Sequence, residues 1–336
     1  MDEPERILVI RLKSIGDVVL TLPALHLIRD NFPQAKITYL TSKENVRLLE
    51  GFGPVDEVIG VDRAAYRRWN LIAIVSHSIR LLRQVRRSRF SLAVDFQGYG
   101  ETALLTWLSG ASRRWGNVYR RSRGWAYTSR VPRNHNVHPA EWNRSLLVKC
   151  GLKWEPVRNE FALPELDLEA ARAILAARGF DPGRPTLYLQ PFTSSAHKNW
   201  PLEKYLEVAR FWQSRGAQVL FGGGPADVSV LEPARAEGFV VVAGVPRMMS
   251  AGLMKLSSVI AGGDTGFLHL AVAMGKRVVM LLKPAGPGSA IPFGHPDWVV
   301  APRDDLALGA IEEEAVIRAV GDALEQCEVC QRAVMG

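Results

Sequence analysis

Asp17 follows a short apolar run, RILVIRL at 6–12, across the glycine-bearing turn KSIGD, and it opens the next helix. A carboxylate at the end of a strand stands where open α/β sheets bind ligands, and it can accept a proton from a sugar hydroxyl. Gly16 lets the chain turn sharply there and leaves room for a ligand. The same position also suits a plain helix cap, and on the local pattern alone the cap is the favoured reading. The turn is not G-x-G-x-x-G, which argues against a dinucleotide in this half of the chain.

A second segment, LYLQPFTSSAHKNWP at 187–201, is a strand followed by Thr193, Ser194, Ser195, His197 and Lys198. Hydroxyls and an ammonium after a strand suit phosphate oxygens; a solvated loop is the equal alternative. A third, AGGDTGFLHLAVAMGKRVVMLL at 261–282, ends a strand on Gly262 and Gly263 and heads a helix with Asp264, Thr265 and Gly266. The first amides of such a helix carry positive partial charge and can hold a diphosphate without a lysine. Asp264 is placed for sugar or ribose hydroxyls rather than phosphate. His269 shares the helix face of Thr265; a lone histidine there is more often structural. A fourth segment, KPAGPGSAIPFGHP at 283–296, reads as a loop at a strand end that lines a donor pocket or merely connects.

The elements that must position these residues alternate strand and helix. After the 6–12 strand, VVLTLPALHLIRDNF reads as one amphipathic helix. KITYL is a strand, ENVRLLEGF a helix, Glu57 to Val61 a strand, LIAIVSHSIRLLRQVRRSRF a helix and SLAVDFQG a strand. A second series opens at DLEAARAILAARG with Asp167 as N-cap. It continues through PTLYLQP, LEKYLEVARFWQSRG, QVLFGGG, FVVVAG, the Gly262–Gly263 strand and RVVMLL. This is the pattern of parallel sheets covered by helices. Two Rossmann-like domains facing across a cleft, 1–164 and 165–336, are expected.

The chain has 336 residues, 47% of them hydrophobic and 23% charged, which suffices for two α/β cores. No apolar run reaches the ~18 residues of a membrane span, and the acidic N-terminus does not read as a signal peptide, so a cytoplasmic place is expected. The net charge of +8 points to anionic partners. Arginines gather in the first half, at 80–89 and again at Arg113, Arg114, Arg120, Arg121 and Arg123. They are not interleaved with aromatics as in a nucleic-acid module, and each taken singly reads as a solvated surface charge. Three cysteines do not make a disulfide framework, and Cys327 and Cys330 lack the second ligand pair of a structural zinc.

Taken together and in this order, these segments resemble glycosyltransferase family 9, the ADP-heptose:lipopolysaccharide heptosyltransferases, over most of the chain. KSIGDVVLTLPAL resembles the family's N-terminal signature, DFQGYGETALLTWLSGASRRWG at 95–116 its second block, and GGDTGFLHLAVAMGKRVVMLL its donor signature. The resemblance implies the GT-B fold and inverting transfer without a catalytic metal or other cofactor. It implies Asp17 as base, Lys198 beside the departing ADP, and Thr193 or Ser194 near the donor phosphates. Asp264, Thr265, Gly266 and His269 would bind the donor. With the donor in the second half, the charge concentrated in the first half at Arg113, Arg114, Arg120, Arg121 and Arg123 is expected to meet an anionic acceptor. The partners implied are an ADP-sugar and lipid A-linked core lipopolysaccharide at the inner face of the inner membrane. The sequence departs from the family at Ala226–Asp227 and at Lys283-Pro284-Ala285. The alternatives are a nucleotide- or glycan-binding protein without turnover, which has no need of Asp17, and a nucleotide-sugar epimerase of the same fold, which has no need of the arginines.

Overall fold

Six parallel strands build the first sheet: β1 (Arg6–Ile10), β2 (Lys36–Ser42), β3 (Glu57–Val61), β4 (Leu92–Asp95), β5 (Arg113–Val118) and β6 (Ser129–Pro132). Their order is β3-β2-β1-β4-β5-β6. Six more build the second: β7 (Thr186–Gln190), β8 (Gln218–Gly223), β9 (Val240–Ala243), β10 (Val259–Gly263), β11 (Arg277–Leu281) and β12 (Val299–Val300), in the order β12-β11-β10-β7-β8-β9. Counted from its own first strand, each sheet has the doubly wound order 3-2-1-4-5-6. These strands belong to a computed structural model, which describes residues 3–66, 70–283, 286–303 and 306–335. Pro284, Ala285 and the Cys330 side chain lie outside the described residues.

The chain divides into two units, Met1–Asn159 and Glu160–Gly336. The inner residues of the central strands are apolar because helices bury both faces. In the first unit Leu8 and Ile10 of β1, Leu40 of β2 and Ala93 of β4 pack with Val85 and Phe90. In the second, Leu187, Leu189, Phe221, Ala261 and Leu281 pack with Tyr205 and Val208 of the helix Leu202–Ser214 and with Val316 and Val320 of the final helix, Glu313–Met335. Each such leucine, isoleucine, valine or phenylalanine contributes about 1.5–3 kcal/mol on burial.

The alternation of elements matches the reading from sequence in outline, and it differs at several places. The expected helix over VVLTLPALHLIRDNF is two, Ile15–Val19 and Leu22–Asn31. Pro23 sits in the first turn of the second, where its missing N–H costs nothing, whereas mid-helix it would remove a bond and clash. Asp167 is not the N-cap of its helix: the helix is Glu165–Ala177, capped by Pro164, and Asp167 lies in its first turn. Arg113 and Arg114 open β5, and β5, β6 and the final helix are elements that the reading from sequence did not assign. Among the described residues no helix is long and apolar enough to cross a membrane.

Candidate active site

In doubly wound sheets the strand order reverses beside the first strand, and the loops leaving the carboxyl ends there diverge to open a crevice. The reversal lies between β1 and β4 in the first unit and between β7 and β10 in the second. Asp17 and Asp264 each stand just past one of these points.

In the first unit Arg11 leaves β1 almost buried. Its Nη1 donates to the Phe96 carbonyl at 2.8 Å, and its Nη2 meets Asp17 Oδ1 at 2.6 Å. Burial works against this guanidinium's charge, but the Asp17 carboxylate more than offsets it and the pKa stays raised. Asp17 Oδ2 accepts from the Ser14 N–H at 2.7 Å and the Ser14 hydroxyl at 3.2 Å. Asp17 is therefore the third residue of Ile15–Val19 and closes a capping box on Ser14. It does cap the helix, yet its side chain remains 40% exposed; capping and a role toward a ligand coexist.

The DFQG segment holds this strand end. Asp95, fully buried, accepts from the Gln97 N–H (2.8 Å), the Gly98 N–H (2.9 Å) and the Tyr127 hydroxyl (2.8 Å). Burial pushes its pKa up against the pull of these donors, and burial together with the Asp95 charge pushes Tyr127 up, so Tyr127 stays a donor. Gln97 Oε1 accepts from the amides of Leu12 (2.8 Å) and Lys13 (3.4 Å). Ser42 Oγ donates to the Leu12 carbonyl. Gly98 has φ +65°, and a Cβ there would collide with the Asn117 carbonyl, so only glycine fits this turn.

Around this seat stand cations on ring faces. Lys13 and Arg123 lie 5.9 and 6.0 Å from the Tyr99 ring. Arg133 lies 5.5 Å from Tyr119 and 4.0 Å from Trp142, and Tyr99 and Tyr119 meet edge to face at 5.5 Å. These residues follow the carboxyl ends of β1, β4, β5 and β6, and the group suits an anionic, hydroxyl-rich ligand. Arg123 also donates to the Gly98 carbonyl at 3.0 Å, and Arg120 and Arg121 are exposed at the start of the 3-10 turn Arg121–Ala126. Arg113 and Arg114 are not brought to this group. They lie at the amino end of β5, where Arg114 donates to the carbonyls of Ala126 (2.9 Å) and Ala111 (2.6 Å).

In the second unit the loop after β7 folds on itself. The Thr193 N–H and hydroxyl both donate to Asn199 Oδ1, at 2.8 and 2.9 Å, so this hydroxyl shapes the loop, while Ser194 is exposed. The loop presses on β10: a Cβ on Gly263 would stand 2.7 Å from the Lys198 carbonyl oxygen and 2.8 Å from Thr193 Cγ2. That close approach brings Lys198 Nζ to 2.6 Å from Asp264 Oδ2. His269 Nε2 lies 3.3 Å from Asp264 Oδ1, and its buried Nδ1 has no partner among the described residues. Burial alone would raise the Asp264 pKa; hydrogen bonds and charge from His269 and Lys198 reverse this and bring it down to about 2. Thr265 caps the helix Gly266–Ala273: its Oγ1 accepts from the Phe267 N–H at 3.1 Å, and the Leu268 and His269 amides return to its carbonyl. A cavity of about 110 Å³ opens here, lined by His197, Lys198, Asp264, Leu281, Leu282 and Lys283 among others. Asp227, at the departure from the family pattern, accepts from the Gly224 N–H at 2.7 Å and so closes its own turn. Cys327 Sγ donates to the Ser258 carbonyl at 3.4 Å.

Sequence reasoning thus found both strand-end acids, and the structure brings Lys198, Asp264 and His269 together. It missed Arg11, Lys13, Asp95, Gln97, Tyr99, Tyr119, Tyr127 and Arg133. The available signal was DFQG itself: a polar run ending in glycine directly after an apolar strand, quoted for its resemblance but given no role.

A family model described as glycosyltransferase family 9 (heptosyltransferase) matches residues 78–304, about two thirds of the chain. The chain is 28% identical over 302 residues to lipopolysaccharide heptosyltransferase 1 of Pseudomonas aeruginosa, covering 86% of this chain and 82% of that protein. Among solved structures, a glycosyl transferase family 9 protein from Veillonella parvula superposes with a TM-score of 0.87 at 20% identity, covering 97% of this chain and 99% of the other. E. coli heptosyltransferase WaaC with ADP-2-deoxy-2-fluoro heptose superposes at 0.77 and 20% identity, covering 94% and 99%. These two likenesses establish the shared GT-B fold.

Proposed function

This chain belongs to glycosyltransferase family 9, the heptosyltransferases, and we propose that it transfers heptose from an ADP-heptose donor held by the second unit to the inner core of lipopolysaccharide held by the first. The observation that carries this reading is the polarity of the two strand-end ion pairs. Asp17 is the exposed member of its pair, at 40% against 9% for Arg11, and Lys198 is the exposed member of its own, at 41% against 16% for Asp264. A carboxylate is offered to one substrate and an ammonium to the other. The names of the relatives supply the substrates: a lipopolysaccharide heptosyltransferase and an enzyme solved with an ADP-heptose analogue.

In this mechanism Asp17 takes the proton of the acceptor hydroxyl. The oxygen bonds to the anomeric carbon on the face opposite the diphosphate, the bond from that carbon to the phosphate oxygen breaks, and configuration inverts. ADP leaves with the bonding pair, and the Lys198 ammonium meets the charge that develops. Asp264 meets donor hydroxyls, His269 is buried behind it and holds its carboxylate in place rather than touching the donor, and Ser194 and the amides of Thr265 and Gly266 face the donor phosphates. Arg120, Arg121 and Arg123, with Lys13 and Arg133, hold the anionic acceptor. Arg113 and Arg114 brace β5 instead. Water competes as an acceptor, so the reacting carbon must be kept dry. The acceptor is lipid A-linked, which places the working enzyme peripherally at the cytoplasmic face of the inner membrane.

The test is to incubate the purified chain with a panel of nucleotide sugars, with and without a lipid A-linked core acceptor. ADP release from ADP-heptose that depends on the acceptor is the expected result. Tight ADP-sugar binding without release identifies a binding protein, and a changed sugar configuration without acceptor identifies an epimerase; either overturns the reading.

A further inference from the structure

The helix Leu71–Arg87 turns part of its apolar side to solvent. Leu71 and Ile72 are 75% and 81% exposed, and Val75 and Ile79 follow at helical spacing. Leu104 joins Val75 and Ile79 along a groove of about 660 Å³ between this helix and Gly100–Leu108, floored by Leu12, Leu40 and Val61 at the carboxyl ends of β1 to β3. One turn past Leu104, the exposed Trp107 meets the exposed Trp125 edge to face at 5.7 Å. Of the 13 large apolar side chains exposed among the described residues, seven lie on this belt. Water alone disfavours such a concentration, and a patch of this kind marks something that covers it.

The charges around the belt say what covers it. Between residues 63 and 94 the sequence holds eight arginines and no acid. Arg80, Arg83 and Arg87 form the stripe next to the apolar one on the same helix, all exposed, and no carboxylate pairs with them among the described residues. An apolar stripe flanked by unpaired arginines, with tryptophans at its border, is the chemistry of an element lying in a lipid interface with its cations on anionic headgroups. Tryptophan suits that border because its ring is apolar and its N–H polar.

We propose that the belt formed by Leu71–Arg87, Leu104, Trp107 and Trp125 docks the first unit onto an anionic phospholipid surface. Leu12 floors the groove and lies in the segment that carries Asp17, so docking brings this strand end to the membrane. That purpose rests on the lipid-linked acceptor proposed above; the docking itself does not.

The test is co-sedimentation of the full chain with phosphatidylcholine vesicles and with vesicles that also contain phosphatidylglycerol, without any sugar present. Binding to the anionic vesicles only, weakening as salt rises, is expected. The Leu71→Ser/Ile72→Ser variant removes only exposed surface and is expected to lose roughly tenfold or more in vesicle affinity. Arg83→Ser/Arg87→Ser is expected to lose affinity and salt dependence together. ADP affinity and the thermal midpoint of both variants should match wild type. Equal binding to neutral vesicles, no binding to either, or unchanged binding by the Leu71/Ile72 variant overturns the proposal. So does a concentration-dependent dimer abolished by the same variant, which would make a second copy the occupant. Vesicle binding that holds while acceptor-dependent ADP release fails removes the transferase reading alone; the reverse removes the docking surface alone.

Discussion

The two sheets share one strand order, but the ion pairs at their switch points are built with opposite polarity. Past β1 the cation is the buried member: Arg11 is anchored on the Phe96 carbonyl, and Asp17 faces outward with its second oxygen tied only to Ser14. Past β10 the acid is the buried member: Asp264 is bracketed by His269 and Lys198, and it is the ammonium that reaches solvent. Each buried partner is fixed by the fold and in turn aims the exposed one. A common scaffold therefore leaves a carboxylate outward in one unit and an ammonium outward in the other, and the difference lies in which residue of each pair the loop leaves uncovered.

The largest effect should come from the outward acid. Asp17→Asn keeps an oxygen for the Ser14 amide, so the helix cap survives, but it removes the base. We expect kcat to fall by ~10²–10⁴ with ADP affinity unchanged, measured by ADP release and by calorimetric titration. Turnover at the wild-type rate would leave Asp17 with the cap alone and dissolve the contrast between the two sites. Next is Lys198→Ala, which removes the outward cation. A charge-assisted bond contributes about 1.5–3 kcal/mol, so kcat/KM for the donor should drop roughly 10- to 100-fold while the acceptor KM holds. If both KM values move equally, Lys198 serves folding rather than the diphosphate.

The inward acid of the second site has a signature of its own. The pKa of Asp264 is depressed in the folded chain, to about 2. Its stabilisation is therefore complete above the unfolded value near ~4 and is lost as pH falls through the folded value. We expect about 2 kcal/mol of the stability lost between pH ~4 and ~2 to vanish in Asp264→Asn, read from urea midpoints at the two pH values. The same pH slope in wild type and variant would show that the carboxylate is not held as its partners require. The smallest effect should be on the acceptor side. Replacing Arg120, Arg121 and Arg123 with serine is expected to raise the acceptor KM several-fold at low salt and less at high salt. Arg113→Ser should leave both KM values alone. An acceptor KM that responds to Arg113 as it does to the triple variant would break the division of the arginines between the two ends of β5.

How much of this was legible in the sequence depended on how local each signal is. The strand–helix alternation and the positions of Asp17, Lys198, Asp264 and His269 were readable, because a buried parallel strand is a short continuous apolar run and the residue after it is at the crevice by construction. The two-helix break at Leu20–Thr21 was readable in principle from Pro23. β5 was not: its first residues are Arg113 and Arg114, and a strand that opens with two arginines shows no period.

What only the tertiary structure decided were the long-range partners. That Gln97, whose turn is held by Asp95, accepts from the amides of Leu12 and Lys13 depends on β1 lying beside β4, more than 80 residues away in the chain. That Lys198 meets Asp264 depends on a loop pressed onto a glycine 65 residues later. The exposure of one member of each ion pair and the burial of the other follow from how the loops pack over the strand ends. A sequence states which groups a strand end carries; the packing around it decides which of them meets the ligand.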